Sequence, residues 1–230
     1  MMDVANKRGE RSMKKYVMNS GVLVVGLALV LAGCGGSDED NTDQSSNLDP
    51  ETKDILDIAL MTTANFGDFA NAATPFAKNK LQGVAQTYNK AFFNEPIPGF
   101  TSGSAVRNGN MHVTYSISVG EYSGSVTISG NYLTMITFNR AVTPGGAQVN
   151  GRMSDGGTIA GNVYANTSGG SGRMELVDTI QSQPDFTVNG KTHSILLKTT
   201  YVITANSNGA VTKSATQTGI IDSRPVSRTL

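Results

Sequence analysis

Few of the 230 residues are of types suited to chemistry, and their spacing narrows the options further. Cys34 is the single cysteine: one nucleophilic thiol, with no partner for an intramolecular disulfide or a cysteine-rich zinc site. Two histidines, His112 and His193, leave little from which to build a His-ligated metal centre. Both fall in or beside strand-like segments, on faces that alternation directs to solvent; no local pattern draws them together with Asp178. Asp178 and Asp185 flank a turn, where solvated loop carboxylates are the expectation rather than an acid–base pair. Arg140, Arg152 and Arg173 fall near successive strand ends, either as a basic rim for an anion or lipid headgroups or as ordinary edge-strand charge.

The motifs that announce catalysis are missing. There is no G-x-S-x-G elbow, no G-x-x-x-x-G-K-[ST] loop and no H-E-x-x-H helix. Ser123-Gly124-Ser125 and Gly169–Gly172 are glycine-serine turns without the strand-to-helix context of a phosphate cradle. No tryptophan is present to form a carbohydrate-stacking platform. The expectation is therefore no catalytic residues, no metal, no cofactor and no enzymatic activity.

Composition sets the frame for whatever positions these residues. The 18 Lys+Arg balance 18 Asp+Glu, which argues against a nucleic-acid binder held by bulk charge. Apolar residues make up 38% and mean hydropathy is −0.18, enough for one globular body and too little for a polytopic membrane protein.

The first 34 residues stand apart. Lys7, Arg8, Arg11, Lys14 and Lys15 form a basic leader, and Gly21 to Gly33 is an uncharged run of 13 residues. A spanning helix needs about 20 apolar residues, so basic leader, short apolar run and small residues read as an export signal over residues 1–33. Met13-Lys14-Lys15 is a more usual signal start than Met1. The run exits through Leu31-Ala32-Gly33-Cys34, an aliphatic residue, two small residues and the cysteine.

That tetrapeptide resembles the lipobox of bacterial lipoproteins. The resemblance covers some twenty residues and implies that the Cys34 thiol receives a diacylglyceryl group, that cleavage precedes Cys34, and that the new amine is acylable. Each buried CH₂ contributes roughly 0.8 kcal/mol, and two or more acyl chains anchor durably without a spanning helix. Gly35, rather than Asp, follows the cysteine; by the same resemblance this implies the outer membrane of a two-membrane bacterium. Removing the leader leaves 13 Lys+Arg and 16 Asp+Glu, a net charge of −3.

Residues 34–49 read as a flexible acidic tether: Asp38, Glu39, Asp40, Asp43 and Asp49 have no base among them, and Leu48 is the one sizeable apolar side chain. The EF-hand pattern fails there for want of its glycine and closing glutamate. Residues 50–95 read as a helical segment. Asp49 suits the N-cap, Pro50 the first position and Glu51 the positive end of the dipole. Ile55, Ile58, Ala59, Thr62, Phe66, Phe69 and Ala73 follow helical spacing, as does a second stripe of Leu81, Val84, Ala85, Tyr88 and Phe92, before Glu95-Pro96-Ile97-Pro98-Gly99 stops it.

From Phe100 the period changes to two, as in Met111, Val113, Tyr115, Ile117 and Val119. Further strands are expected at 125–129, 132–142, 147–153, 158–164, 173–180, 186–188, 192–205 and 210–221. Asn108-Gly109, Pro144-Gly145-Gly146, Asn150-Gly151, Asp155-Gly156-Gly157, Asn189-Gly190 and Asn208-Gly209 punctuate them as turns, with a bulge as the other option at Asn150-Gly151. Gln148-Val149-Asn150-Gly151-Arg152 is echoed by Thr187-Val188-Asn189-Gly190-Lys191. The expected fold is α+β: the helical segment packed on a curved antiparallel meander of roughly eight to ten strands over residues 100–222, with 223–230 as a tail. Most of the candidate strands are too short for a transmembrane barrel.

Three classes of function follow. The first is an envelope lipoprotein, lipid-anchored to the membrane through Cys34, with a structural or protein-partner role. The second is a carrier of a hydrophobic ligand or lipid between sheet and helices, with a loose likeness to the half-barrel lipoprotein carriers. The third, a hydrolase, lacks any nucleophile–base signature.

Overall fold

A computed structural model describes residues 48–63, 85–119, 123–166, 169–207 and 210–229. The lipobox-like Leu31-Ala32-Gly33-Cys34, most of the expected tether and the residues from Phe66 to Val84 lie outside them. One helix and ten strands make up the body. Helix α1 (Pro50–Thr62) is followed by β1 (Gln86–Pro96), β2 (Ser102–Val119), β3 (Ser123–Val142), β4 (Gln148–Asn166) and β5 (Gly169–Ser182). Then come β6 (Thr187–Val188), β7 (Lys191–Thr192), β8 (Ile195–Ala205), β9 (Val211–Ile221) and β10 (Arg224–Thr229). The path β1-β2-β3-β4-β5-β8-β9-β10 is antiparallel throughout and open, with the β6–β7 hairpin attached to β4.

The helix begins as its residues dictate. The Asp49 carboxylate accepts from the Thr52 amide at 2.9 Å and the Thr52 hydroxyl at 2.8 Å. At its other end the Ala59 carbonyl accepts the Thr63 amide at 3.1 Å and the Thr62 hydroxyl at 3.0 Å.

Residues 86–95 correct the expected helical segment, for they form β1. Tyr88 and Phe92 are four apart, a spacing that suits a helical face and also the i, i+4 positions of one strand face. Strand β2 settles the matter, because its edge carries a row of N–H and C=O groups that β1 pairs from Gln86↔Tyr115 to Pro96↔Val106. The expected tail is corrected likewise. Residues 224–229 pair with β9 through a two-residue turn at Asp222 and Ser223, both at positive φ (49° and 68°). Neither is glycine, which is why no turn was visible there.

Strands β2, β3 and β4 run 18, 20 and 19 residues because several glycines expected to break them lie inside them. Gly109 sits in β2 where a Cβ would fall 2.2 Å from the Leu133 carbonyl oxygen. Asp155-Gly156-Gly157 is mid-strand in β4. Asn150-Gly151 lies in β4 opposite an irregularity between Phe138 and Ala141, where the Arg140 amide donates to Asn150 Oδ1 at 2.8 Å. Asn189-Gly190 does make the β6–β7 turn. The two echoed segments pair with each other, Val149 opposite Val188 and Asn150 opposite Thr187.

One face of the sheet is buried. It carries two apolar clusters. The first comprises Phe92, Met111, Val113, Tyr115, Ile128, Tyr132, Ile159, Val163, Met174, Leu176, Ile203 and Ala205. The second joins Ile55, Leu56, Ile58 and Ala59 of α1 to Ile136, Phe138, Val149, Met153, Ile180, Phe186, Leu197 and Ile221, among others. The other face is lined mainly by Ser, Thr and Asn, with Leu133, Leu196 and Ile220 exposed upon it.

Candidate functional site: a buried polar belt beneath the helix

Between the two apolar clusters the inner face turns polar. Arg107, Thr134, Asp155, Asp178, Thr199, Gln217 and Arg228 come from seven strands, and all are buried. Register assembles them. Thr134 stands opposite Asp155. Asp178 stands opposite Thr199, Thr199 opposite Gln217, and Gln217 opposite Arg228. The two halves meet diagonally, for Asp178 faces Gly157, two residues along β4 from Asp155.

Helix α1 lies on this belt and is tied to it along its length. The Arg228 guanidinium donates through Nε to Gln217 Oε1 at 2.7 Å and through Nη1 to Asp57 Oδ1 at 2.8 Å. Gln217 Nε2 reaches the Leu56 carbonyl at 3.5 Å. Arg107 Nη2 donates to the Thr62 carbonyl at 2.7 Å, and its guanidinium carbon lies 5.3 Å from the centre of the Phe92 ring. The Thr63 hydroxyl donates to Asp178 Oδ2 at 2.9 Å. At the start of the helix, Lys191 pairs with Glu51 at 3.0 Å, and His193 Nε2 lies 3.4 Å from Glu51 Oε1.

The chemical centre of the belt is a pair of carboxyls. Asp155 and Asp178 are fully buried and hydrogen-bonded to each other, and the Tyr132 hydroxyl contacts both, donating to Asp178 Oδ1. Burial pushes the Asp155 carboxyl well up, reinforced by the hydrogen bond to Asp178 and its charge and opposed by Arg107. Tyr132 is raised by burial first and by the two carboxyls second. Tyr201, hydrogen-bonded to Thr63, is pushed up to about 12, mainly by burial. Asp155 Oδ1 and Thr199 Oγ1 are buried without a hydrogen-bond partner. The cluster thus keeps two carboxyls out of reach of water, and it fastens the helix to the sheet.

These placements overturn several expectations. Asp178 is a buried strand residue, not a loop carboxylate. His193 is buried, its Nδ1 2.7 Å from Asp222 Oδ2. Burial works against the charge on Asp222, yet the Ser194 amide and His193 hold its carboxyl below the usual range. His112 is exposed, as alternation indicated, and bonds Asn89 at 2.6 Å. Asp185 is half exposed and pairs with Arg152 at 2.8 Å. Arg173 pairs with Glu175 at the far end of the sheet from Arg140 and Arg152, so the three arginines form no common rim. Cys34, with Leu31, Ala32 and Gly33, lies outside the described residues. Among the described residues no group of three or more metal-ligating side chains comes together.

Parity within a single strand does not bring the members of the belt together, because each lies on a different strand. Leu176, Asp178 and Ile180 share parity, as do Met153, Asp155 and Ile159, and that parity is the inward one. The signal was present once the strands were known to continue through their glycines. Compared with known proteins, the chain matches no family model, no curated protein and no solved structure.

Proposed function

We propose that the chain is a lipid-anchored envelope protein, attached through acyl groups on Cys34, whose folded body has a non-catalytic structural or partner-binding role. The lipobox-like Leu31-Ala32-Gly33-Cys34 behind a basic leader and a 13-residue apolar run carries this reading. The belt supports its non-catalytic part. The residues best suited to acid–base work, Asp155 and Asp178, are fully buried and engaged with one another, with Tyr132 and with α1. In this reading residues 1–33 are removed, 34–49 span the gap to the membrane, and α1 packs on a curved sheet. The outer membrane is the expected site, reached because Gly35 follows the cysteine.

A second reading, a carrier of a hydrophobic ligand or lipid, draws on the apolar cluster of β1–β5 and β8 on the far side of the belt from the cluster shared with α1. Nucleic acid has no place in either reading, given the balanced charge.

Metabolic labelling with palmitate tests the anchor. Label on the wild-type chain and none on Cys34→Ser, with the variant released from the membrane fraction, is the expected result; an unlabelled wild type removes the placement. Lipid extraction from Cys34→Ser produced without its leader separates the two roles. Co-purifying lipid selects the carrier, and a lipid-free protein that captures an envelope partner selects the scaffold.

A further inference from the structure

The helix and the sheet meet at a place where two carboxyls, a tyrosine and a threonine converge, and the charges around them can be counted. Among the described residues, the charged group facing the pair is Arg107 from β2; farther along the belt, Arg228 from β10 pairs with Asp57 from α1. The titratable hydroxyls are Tyr132 from β3 and Tyr201 from β8. With a single proton on the pair, two arginines balance Asp178 and Asp57. Without it the belt carries one uncompensated negative charge in surroundings that solvate charge poorly. Asp155 Oδ1 accepts no hydrogen bond, so a proton on that oxygen displaces none.

We propose that one proton shared by Asp155 and Asp178 latches the C-terminal end of α1 onto the sheet, and that its loss unseats that end. The strands bearing the carboxyls cannot yield, because β4 is laddered to β3 and β5, and β5 to β4 and β8. Among the described residues the helix end is held by less: the Thr63 hydroxyl on Asp178 and against Tyr201, and the Thr62 carbonyl on Arg107. Unseating it admits water to the ionised pair at the cost of a few side-chain hydrogen bonds, whereas opening the sheet breaks a ladder. The device is independent of the anchor and of either proposed role.

Amide hydrogen exchange on the full-length chain in detergent micelles, corrected for the intrinsic rate at each pH, reads the latch. An opening that releases one proton grows about tenfold per pH unit between the ordinary carboxyl titration, which the exposed group regains, and the raised titration of the latched Asp155, and levels off beyond it. The amides of residues 60–63 are expected to show that slope while Thr134 and Ile136 in β3 keep their protection. In Asp155→Asn, where the amide donates permanently, the slope is expected to vanish. The same slope in Asp155→Asn, or loss of β3 protection in step with the helix, overturns the latch. Should the variant fail to fold, the wild type suffices: the carbon-13 shift of the Asp155 carboxyl must titrate over the pH range in which the helix end opens, and a separation of the two refutes the proposal.

Discussion

Gly157 of β4 and Tyr132 of β3 are register partners, and the glycine leaves room for the ring: a Cβ at 157 would lie 2.7 Å from Tyr132 Cε1 and 2.5 Å from the Val177 carbonyl oxygen. The Tyr132 hydroxyl is thereby set against Asp155 and Asp178. Gly157→Ala has to displace either a buried ring or a strand backbone. A loss of about 1–3 kcal/mol in urea unfolding is expected. A neutral result would mean that the ring is free to move and that the belt does not depend on its position.

Stability should also depend on Asp155 in a defined direction. Its carboxyl is raised in the folded chain, so the fold holds a proton that the unfolded chain surrenders at the ordinary carboxyl value of about 4. The contribution of this group is full below that value and declines as pH rises, until the folded carboxyl itself ionises. Asp155→Asn removes the decline. Relative to wild type, the variant is expected to gain stability as pH rises above about 4, until the folded carboxyl ionises, in denaturant titrations. Parallel curves for the two proteins would show that Asp155 is ionised throughout.

Arg228 and Asp57 form one bond but differ in weight. Arg228 is buried and also satisfies Gln217, whereas Asp57 is nearly half exposed. Arg228→Ala strands the buried Gln217 oxygen and should cost about 1–3 kcal/mol, more than Asp57→Asn. Equal losses would place the energy in the ion pair rather than in the inner hydrogen bond.

Asp49→Ala isolates the start of α1. It removes both bonds to Thr52, and an N-cap of this kind contributes about 1 kcal/mol. The loss should fade in acid, because the Thr52 bonds hold the Asp49 carboxyl below its usual range and the cap weakens as it protonates. A wild type and variant that differ equally at pH 2 and pH 7 would contradict the cap.

By itself the sequence determined the helix start at Asp49-Pro50, the antiparallel strands after Phe100 and the expectation of a lipid anchor at Cys34, because each rests on neighbours in the chain: a cap, a period of two, a tetrapeptide. It did not distinguish β1 from a helix, since Tyr88 and Phe92 satisfy both periods until β2 presents an edge to be paired. Nor did it show the strand at 224–229, whose turn uses Asp222 and Ser223 at positive φ without a glycine. The belt was the most distant from view. Asp155 and Asp178 become a buried pair only through the register of β4 and β5, the niche at Gly157 and the contact of α1 with Asp178. Burial and contact between residues far apart in the chain are properties of the packed sheet, and they alone turn ordinary carboxylates into a site.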